Sequence, residues 1–240
     1  MDIDVLYCDN HLLVIHKPAG LLAQADETGD LDVLVWGKKY LARKFNKTGN
    51  VFLGLVHRLD RPVSGVMVLA RTSKAAARLT DQFKKRTVEK RYLAVVEGSL
   101  KDSGSFNDHL LKDGRKVRVV PSSHPKGKHA RLSWKALDTG AKTTLVDVEL
   151  ETGRPHQIRI QFASRGHALV GDLRYDAETI FDGRNLALHS YVLGIEHPTQ
   201  RKPMRWVARP PESWNGFHDA ALETLFKSPW TSCPKETEPD

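Results

Sequence analysis

The sequence is poor in cysteine and lacks the short signatures of the commonest cofactor chemistries. Two cysteines, Cys8 and Cys233, stand near opposite ends of 240 residues. Without a CxxC pair, neither a thiolate zinc site nor a disulfide framework is supported. No GxGxxG or GxxxxGK[ST] occurs, so no glycine-rich cradle for nucleotide phosphates is signalled. A GxSxG elbow and an HExxH helix are also missing. The eleven histidines carry no ligand spacing, and His124 and His129 fall in a basic stretch unsuited to holding a cation. The N-terminus is acidic, and no apolar run approaches the roughly 20 residues a membrane helix needs. These absences point to a cytoplasmic protein with no cofactor, no metal and no membrane partner.

What is abundant is positive charge. Lysine and arginine total 37 against 29 acidic residues, a net charge of +8, while 40% hydrophobic and 28% charged content is ordinary for a globular chain. A basic surplus favours anionic partners, and nucleic acid is the commonest.

Alternating apolar runs read as short strands at "DVLY" and "HLLVIHK", around an Asp9-Asn10 turn, and again at "GVMVLAR" and "KRYLAVVEG". Between them, residues 28–46 place Leu31, Leu34, Val35 and Leu41 at helical spacing, weakened by Gly37. A second helix is expected after Thr72 or Ser73, with Ala76, Leu79 and Phe83 on one face and Lys84, Lys85 and Arg86 in its last turn. Residues 101–131 are dense in lysine and arginine and read as a basic hairpin or long loop. Strands follow at "RLSWKAL" and "TTLVDVEL". The stretch "GRPHQIRIQFASRGH" fits both periods, with Pro155 and Gly166 favouring a helix. Two late strands, "NLALHSYVLGIEHP" and "PMRWVARPP", precede a loop and helix over 210–226. The pattern implies one α+β domain on a mostly antiparallel sheet.

Three segments concentrate chemistry. "VHRLDRPVSG" sets Asp60 between Arg58 and Arg61; "EKRYLAVVEG" carries Tyr92; "LETGRPHQIRI" carries Arg154, His156, Gln157 and Arg159. On its own, Asp60 could be a turn carboxylate balanced by its neighbours, Tyr92 strand core, and Arg159 a solvated helix arginine. The run 112–131 could serve solubility alone.

Together with "KPAG" and "GHALVGDLRY", these segments resemble, in order and spacing, the signature motifs of the RluA-type pseudouridine synthases. The likeness spans roughly residues 5 to 210. It implies the pseudouridine synthase catalytic fold, a curved mixed sheet with flanking helices and loops. It also implies a single catalytic domain over 1–227 ahead of a flexible tail, 228–240. By the same resemblance Asp60 is the catalytic aspartate, Tyr92 lies against the target uracil, and Arg159 partners the aspartate. Arg58 takes the space of a flipped base. RNA contacts are expected from Arg58, Arg61, Arg154, His156 and Gln157, and from Lys116, Arg118, Lys126 and Lys128 of the basic segment. His57 and His156 are expected to support or pack rather than to act as acid–base groups. Val63 stands where the family has Thr, and Ala168 where it has Pro.

The implied activity is isomerisation of a uridine in tRNA or ribosomal RNA, by a monomer. The family's S4 RNA-binding domain has no counterpart before "KPAG", which tilts the expectation towards tRNA or a small stem-loop. A non-catalytic RNA-binding protein that kept the fold is the alternative, and a base-excising glycosidase a third.

Overall fold

The computed structural model describes residues 3–114 and 116–228. One sheet organises them. Its strands are β1 (Val5–Cys8), β2 (Leu12–Lys17), β3 (Gly54–Leu55), β4 (Ser64–Ala70), β5 (Glu89–Glu97), β6 (Ser103–Asp113), β7 (Lys116–Val120), β8 (Lys128–Thr139), β9 (Thr143–Leu150), β10 (Leu188–Glu196) and β11 (Pro203–Val207). The order along the sheet is β1-β2-β4-β10-β5-β9-β8-β6-β7, with β3 on β4 and β11 on β10. Only the β4–β10 pairing is parallel, so the sheet is mixed and mostly antiparallel, as expected.

Strand alternation sends neighbouring residues to opposite faces. Leu13, Ile15, Met67, Leu69, Ala94 and Val146 join α1 (Val33–Lys44) and α3 (Gln157–Ala163) in one core. Leu12, Val14, Val66 and Val68 meet α2 (Ser73–Lys85) on the other face. There Leu93, Val95 and Leu145 meet α4 (Asp219–Lys227). Burying each of these aliphatic side chains contributes about 1.5–3 kcal/mol.

One local reading needs correction. The first helix starts only at Val33, because the Asp32 carboxylate caps it by accepting from Val35 N at 2.8 Å. Its buried face is Val33, Trp36 and Leu41, whereas Leu31 and Val35 are exposed. Gly37 is a packing requirement: a Cβ there would stand 2.5 Å from Leu53 Cδ2. The basic segment forms a hairpin, one of the two expected forms. β6 and β7 pair from His109↔Val120 to Asp113↔Lys116, and only residues 121–127 link β7 to β8.

The segment ambiguous between strand and helix is helical, over Gln157–Ala163, and Gly166 follows at φ 79°. The tail expected at 228–240 lies outside the described residues apart from Ser228. No described helix is long and apolar enough to cross a membrane.

Gly65 decides how the middle of the sheet closes. Its φ is 129°, and a Cβ on it would sit 2.3 Å from the backbone oxygen of Ser190. Glycine therefore lets β10 lie against β4 at Ser190↔Gly65, and Ser190 pairs on its other side with Tyr92 of β5. Asp60, just before β4, and Tyr92 are thereby brought to the same part of the sheet.

Candidate active site

Asp60 lies in the turn leading into β4, closed by Val63 N donating to Asp60 O at 3.0 Å. Val63 is itself core, so a backbone bond steadies this turn and a side-chain hydroxyl is not needed. A second loop grips it from below. Lys17, fully buried at the end of β2, donates through Nζ to the carbonyls of Pro18 (2.8 Å), Leu21 (2.8 Å) and Arg61 (3.3 Å). Burial pulls the Lys17 pKa down to about 7, with the Asp60 carboxylate working in the other direction. Three carbonyl acceptors need three N–H donors, so the geometry fits the ammonium form.

The carboxylate meets α3. Arg159, on the first turn of that helix, donates through Nη1 to Asp60 Oδ2 at 3.0 Å. The rest of its guanidinium forks onto Asp172, Nε to Oδ2 at 2.6 Å and Nη2 to Oδ1 at 2.7 Å. Both Arg159 and Asp172 are almost wholly buried. Burial opposes the Arg159 charge, but the hydrogen-bonded Asp172 and then Asp60 outweigh it and raise its pKa. One cation thus bridges two carboxylates, and the buried partner fixes the plane in which it meets the accessible one.

Tyr92 is buried in the same region and lines the cleft with Asp60. Burial pushes its hydroxyl up to about 12, against a hydrogen bond with the Ser190 side chain. At neutral pH it is an intact phenol that offers a flat ring. The cleft has a volume of about 1000 Å³ and is also lined by Arg58, Arg159, His156 and Leu188. A second set of cations reaches it from the end of α2 and the start of β5: Lys84, Arg86 and Lys90. Lys90 shares the face of β5 that carries Tyr92.

The remaining expected residues divide. Asp60, Tyr92, Arg159, Arg58, Arg61, Arg154 and His156 all line the cleft. Arg61 is an ion-pair partner of Asp30 at 2.7 Å and donates to Gly20 O at 3.0 Å, and Arg154 donates to His129 O at 2.8 Å. Lys116, Arg118, Lys126 and Lys128 are exposed on the hairpin and the following turn, outside the cleft; Arg118 stands 3.8 Å from Asp113.

Gln157 also lines the cleft, with much of its amide engaged inside the protein. It is 3% exposed, and its amide oxygen accepts from Thr152 Oγ1 at 2.7 Å and Arg154 N at 3.0 Å. Its nitrogen donates to Arg131 O at 3.1 Å. Through these bonds Gln157 ties the start of α3 to β8. His57 accepts from Val68 N at 3.0 Å and stacks on Phe83, a packing role as expected.

Sequence reasoning assigned nothing to Lys17, Asp172, Tyr175 or the Lys84–Lys90 cations. Asp172 and Tyr175 stand in "GHALVGDLRY" and Lys17 in "KPAG", motifs that carried the resemblance without a role being given to these residues.

With this geometry in hand, likenesses to known proteins acquire meaning. A family model described as RNA pseudouridylate synthase matches residues 11–164. The chain is 36% identical over 201 residues to the uncharacterized RNA pseudouridine synthase YhcT of Bacillus subtilis, covering 82% of this chain and 65% of that protein. It is 35% identical over 224 residues to ribosomal large subunit pseudouridine synthase D of Xylella fastidiosa, covering 88% and 66%. The chain thus spans just under two thirds of the length of these curated relatives. Among solved structures, human RNA pseudouridylate synthase domain containing 4 superposes with a TM-score of 0.74 over 92% of each chain at 23% identity, a likeness of fold.

Proposed function

The chain belongs to the RNA pseudouridylate synthase family, and we propose that it converts a uridine in structured RNA to pseudouridine with Asp60 as the reacting carboxylate. The observation that carries this reading is the accessible Asp60 carboxylate in a basic cleft, held by Arg159 through Oδ2. The reaction breaks the N1–C1′ bond of uridine, turns the uracil, and joins C5 to C1′. The C5 proton is lost and N1 gains one, so nothing is oxidised and no outside energy is consumed.

Each part of the cleft has a task in that sequence. A carboxylate can attack the sugar or the base, or remove a sugar proton, and the Arg159 guanidinium orients it for that task. The Tyr92 ring offers the turning uracil an apolar face, worth about 1–3 kcal/mol by stacking. Arg58, Lys84, Arg86 and Lys90 line the cleft and offer phosphate-binding charge, and the reading gives Arg58 the space left by a flipped base. Extruding the target costs a few kcal/mol and least in loops or bulges, so an unpaired uridine is the preferred target.

We place ribosomal RNA of the large subunit ahead of tRNA, because relatives such as the Xylella fastidiosa protein are named for that subunit. A cytoplasmic location follows from that substrate. The reacting and positioning groups all come from one chain, which suits a monomer.

Mapping pseudouridines in total RNA from cells with and without the gene tests the reaction and names the target. The purified protein and its Asp60→Ala variant are then compared on that RNA. The variant should bind and make no pseudouridine; wild type that binds without modifying returns the chain to an RNA-binding role. Release of free uracil would instead identify a glycosidase.

A further inference from the structure

The two oxygens of Asp60 are not equivalent. Oδ2 accepts from Arg159 Nη1 at 3.0 Å and lies 3.6 Å from His156 Nε2, while Oδ1 has no hydrogen-bond partner among the described residues. His156 sits at the entry to α3 with φ 50°, a backbone conformation that aims its ring at the carboxylate. Behind it, Nδ1 is 2.7 Å from the Tyr175 hydroxyl, and that same hydroxyl accepts from Val117 N at 3.1 Å.

These bonds suit one tautomer of His156. A backbone N–H can only donate, so the Val117 bond takes one lone pair of the Tyr175 oxygen. Among the described residues His156 Nδ1 is the neighbour within hydrogen-bond reach of the phenolic proton, and in this arrangement it accepts it. The ring proton of neutral His156 is left on Nε2, facing Asp60. Tyr175 is buried, and its ring also stands edge-on to His156 and 5.2 Å from the Arg159 guanidinium carbon.

We propose that His156 is a positioning residue for the reaction, held by Tyr175 with its Nε2–H towards Asp60, so that Oδ2 is clamped and Oδ1 is the oxygen presented to the nucleotide. This rests on the reading of Asp60 as the reacting group. The separation of 3.6 Å in the cleft exceeds a hydrogen bond, and such contacts tighten when substrate fills a site.

A pH dependence follows. The charged and titratable groups facing His156 are Asp60 on the turn before β4, Arg159 on α3, and Asp172, Arg174 and Tyr175 just beyond that helix; β7 contributes only the Val117 backbone. Burial lowers the His156 pKa, with Asp60 opposing it and Arg159 reinforcing it. The ring is therefore neutral at pH 7 and becomes charged only below its ordinary range. A charged imidazolium would pair with Asp60 and blunt its nucleophilicity, so turnover should fall on the acid side.

The test is single-turnover release of tritium from RNA labelled at uridine C5, with enzyme in excess, from pH 5 to 8. His156→Gln keeps an N–H for Asp60 but cannot titrate. It should retain the rate at pH 8 within about tenfold and flatten the acid limb, by analogy with general magnitudes for positioned polar groups. His156→Ala should lose more than His156→Gln at every pH, both read with enzyme in saturating excess over RNA. Tyr175→Phe keeps the ring against Arg159 and should move the acid limb. An acid limb unchanged in His156→Gln, or a wild-type rate in His156→Ala, overturns the inference while leaving the reaction assigned. Wild type that releases no tritium and forms no pseudouridine overturns the reaction itself.

Discussion

Arg159 reaches Asp60 across 99 positions of chain, and it does so with its guanidinium plane already fixed by Asp172. The aspartate therefore meets a preset partner. A lysine at the same place would keep the charge and lose the fork.

Arg159→Lys should therefore cost more in turnover than in RNA binding. A displaced carboxylate typically lowers rates by about 100-fold or more. The check is the single-turnover rate against the dissociation constant, measured on the same RNA. Loss of affinity in step with rate would show instead that Arg159 holds RNA.

Asp172→Asn removes one member of a buried pair and leaves the Arg159 charge short of its partner. Breaking such a pair costs about 3–5 kcal/mol. Denaturant titration should show that loss. A variant as stable as wild type would mean that Asp172 does not anchor the arginine.

Lys17→Met empties the clasp between the two loops and takes the Lys17 donor from the Pro18 and Leu21 carbonyls, while Arg61 O keeps Gly20 N at 2.8 Å. Each unsatisfied buried acceptor costs about 1–3 kcal/mol. Thermal unfolding should register a drop of several degrees, and residual turnover should fall further because the Asp60 turn loses its anchor to Leu21. An unchanged midpoint would contradict the clasp.

Acid should destabilise the fold through His189. This ring is fully buried, with Nδ1 at 2.7 Å from Ser64 Oγ and Nε2 at 3.0 Å from Ala208 O. Burial, and then the neighbouring His16, hold its pKa down to about 3, against about 6.5 in an unfolded chain. Between those values the unfolded chain binds a proton that the folded one does not, so stability falls as pH falls. The slope is about 1.4 kcal/mol per unit, or about 2 kcal/mol lost at pH 5. Denaturation at pH 7 and pH 5 measures it, and His189→Gln should reduce the difference.

The exposed cations of the hairpin bear on salt. Neutralising Lys116, Arg118, Lys126 and Lys128 should flatten the dependence of RNA affinity on salt, with a slope change of about 0.7–0.9 for each phosphate they no longer neutralise. An unchanged slope would return the hairpin to solubility. The same experiment with Lys84 and Lys90 tests the cations that reach the cleft.

The sequence made some of this legible and some not, for identifiable reasons. Asp60, Tyr92 and Arg159 could be named because each stands in a short motif whose neighbours are also constrained. The strands were readable from alternation and from apolar runs, since the sheet is buried on both faces over β2, β4 and β5. The buried face of α1 was misread because Leu31 and Val35 look as apolar as Val33 and Trp36, and only tertiary packing tells them apart. Asp172 and Lys17 escaped because a buried charge is recognised by its partner, and the partners are distant in sequence. The internal bonds of Gln157 could not be read either, because polarity alone does not say which way an amide points.

The single parallel pairing at the centre of the sheet sets a timetable for synthesis. β4 waits for β10, whose residues emerge more than a hundred positions later, so a nascent chain ending at β9 carries Asp60 with neither its arginine nor its floor. Competence then arrives in one late step, when the last third of the chain threads back to the first.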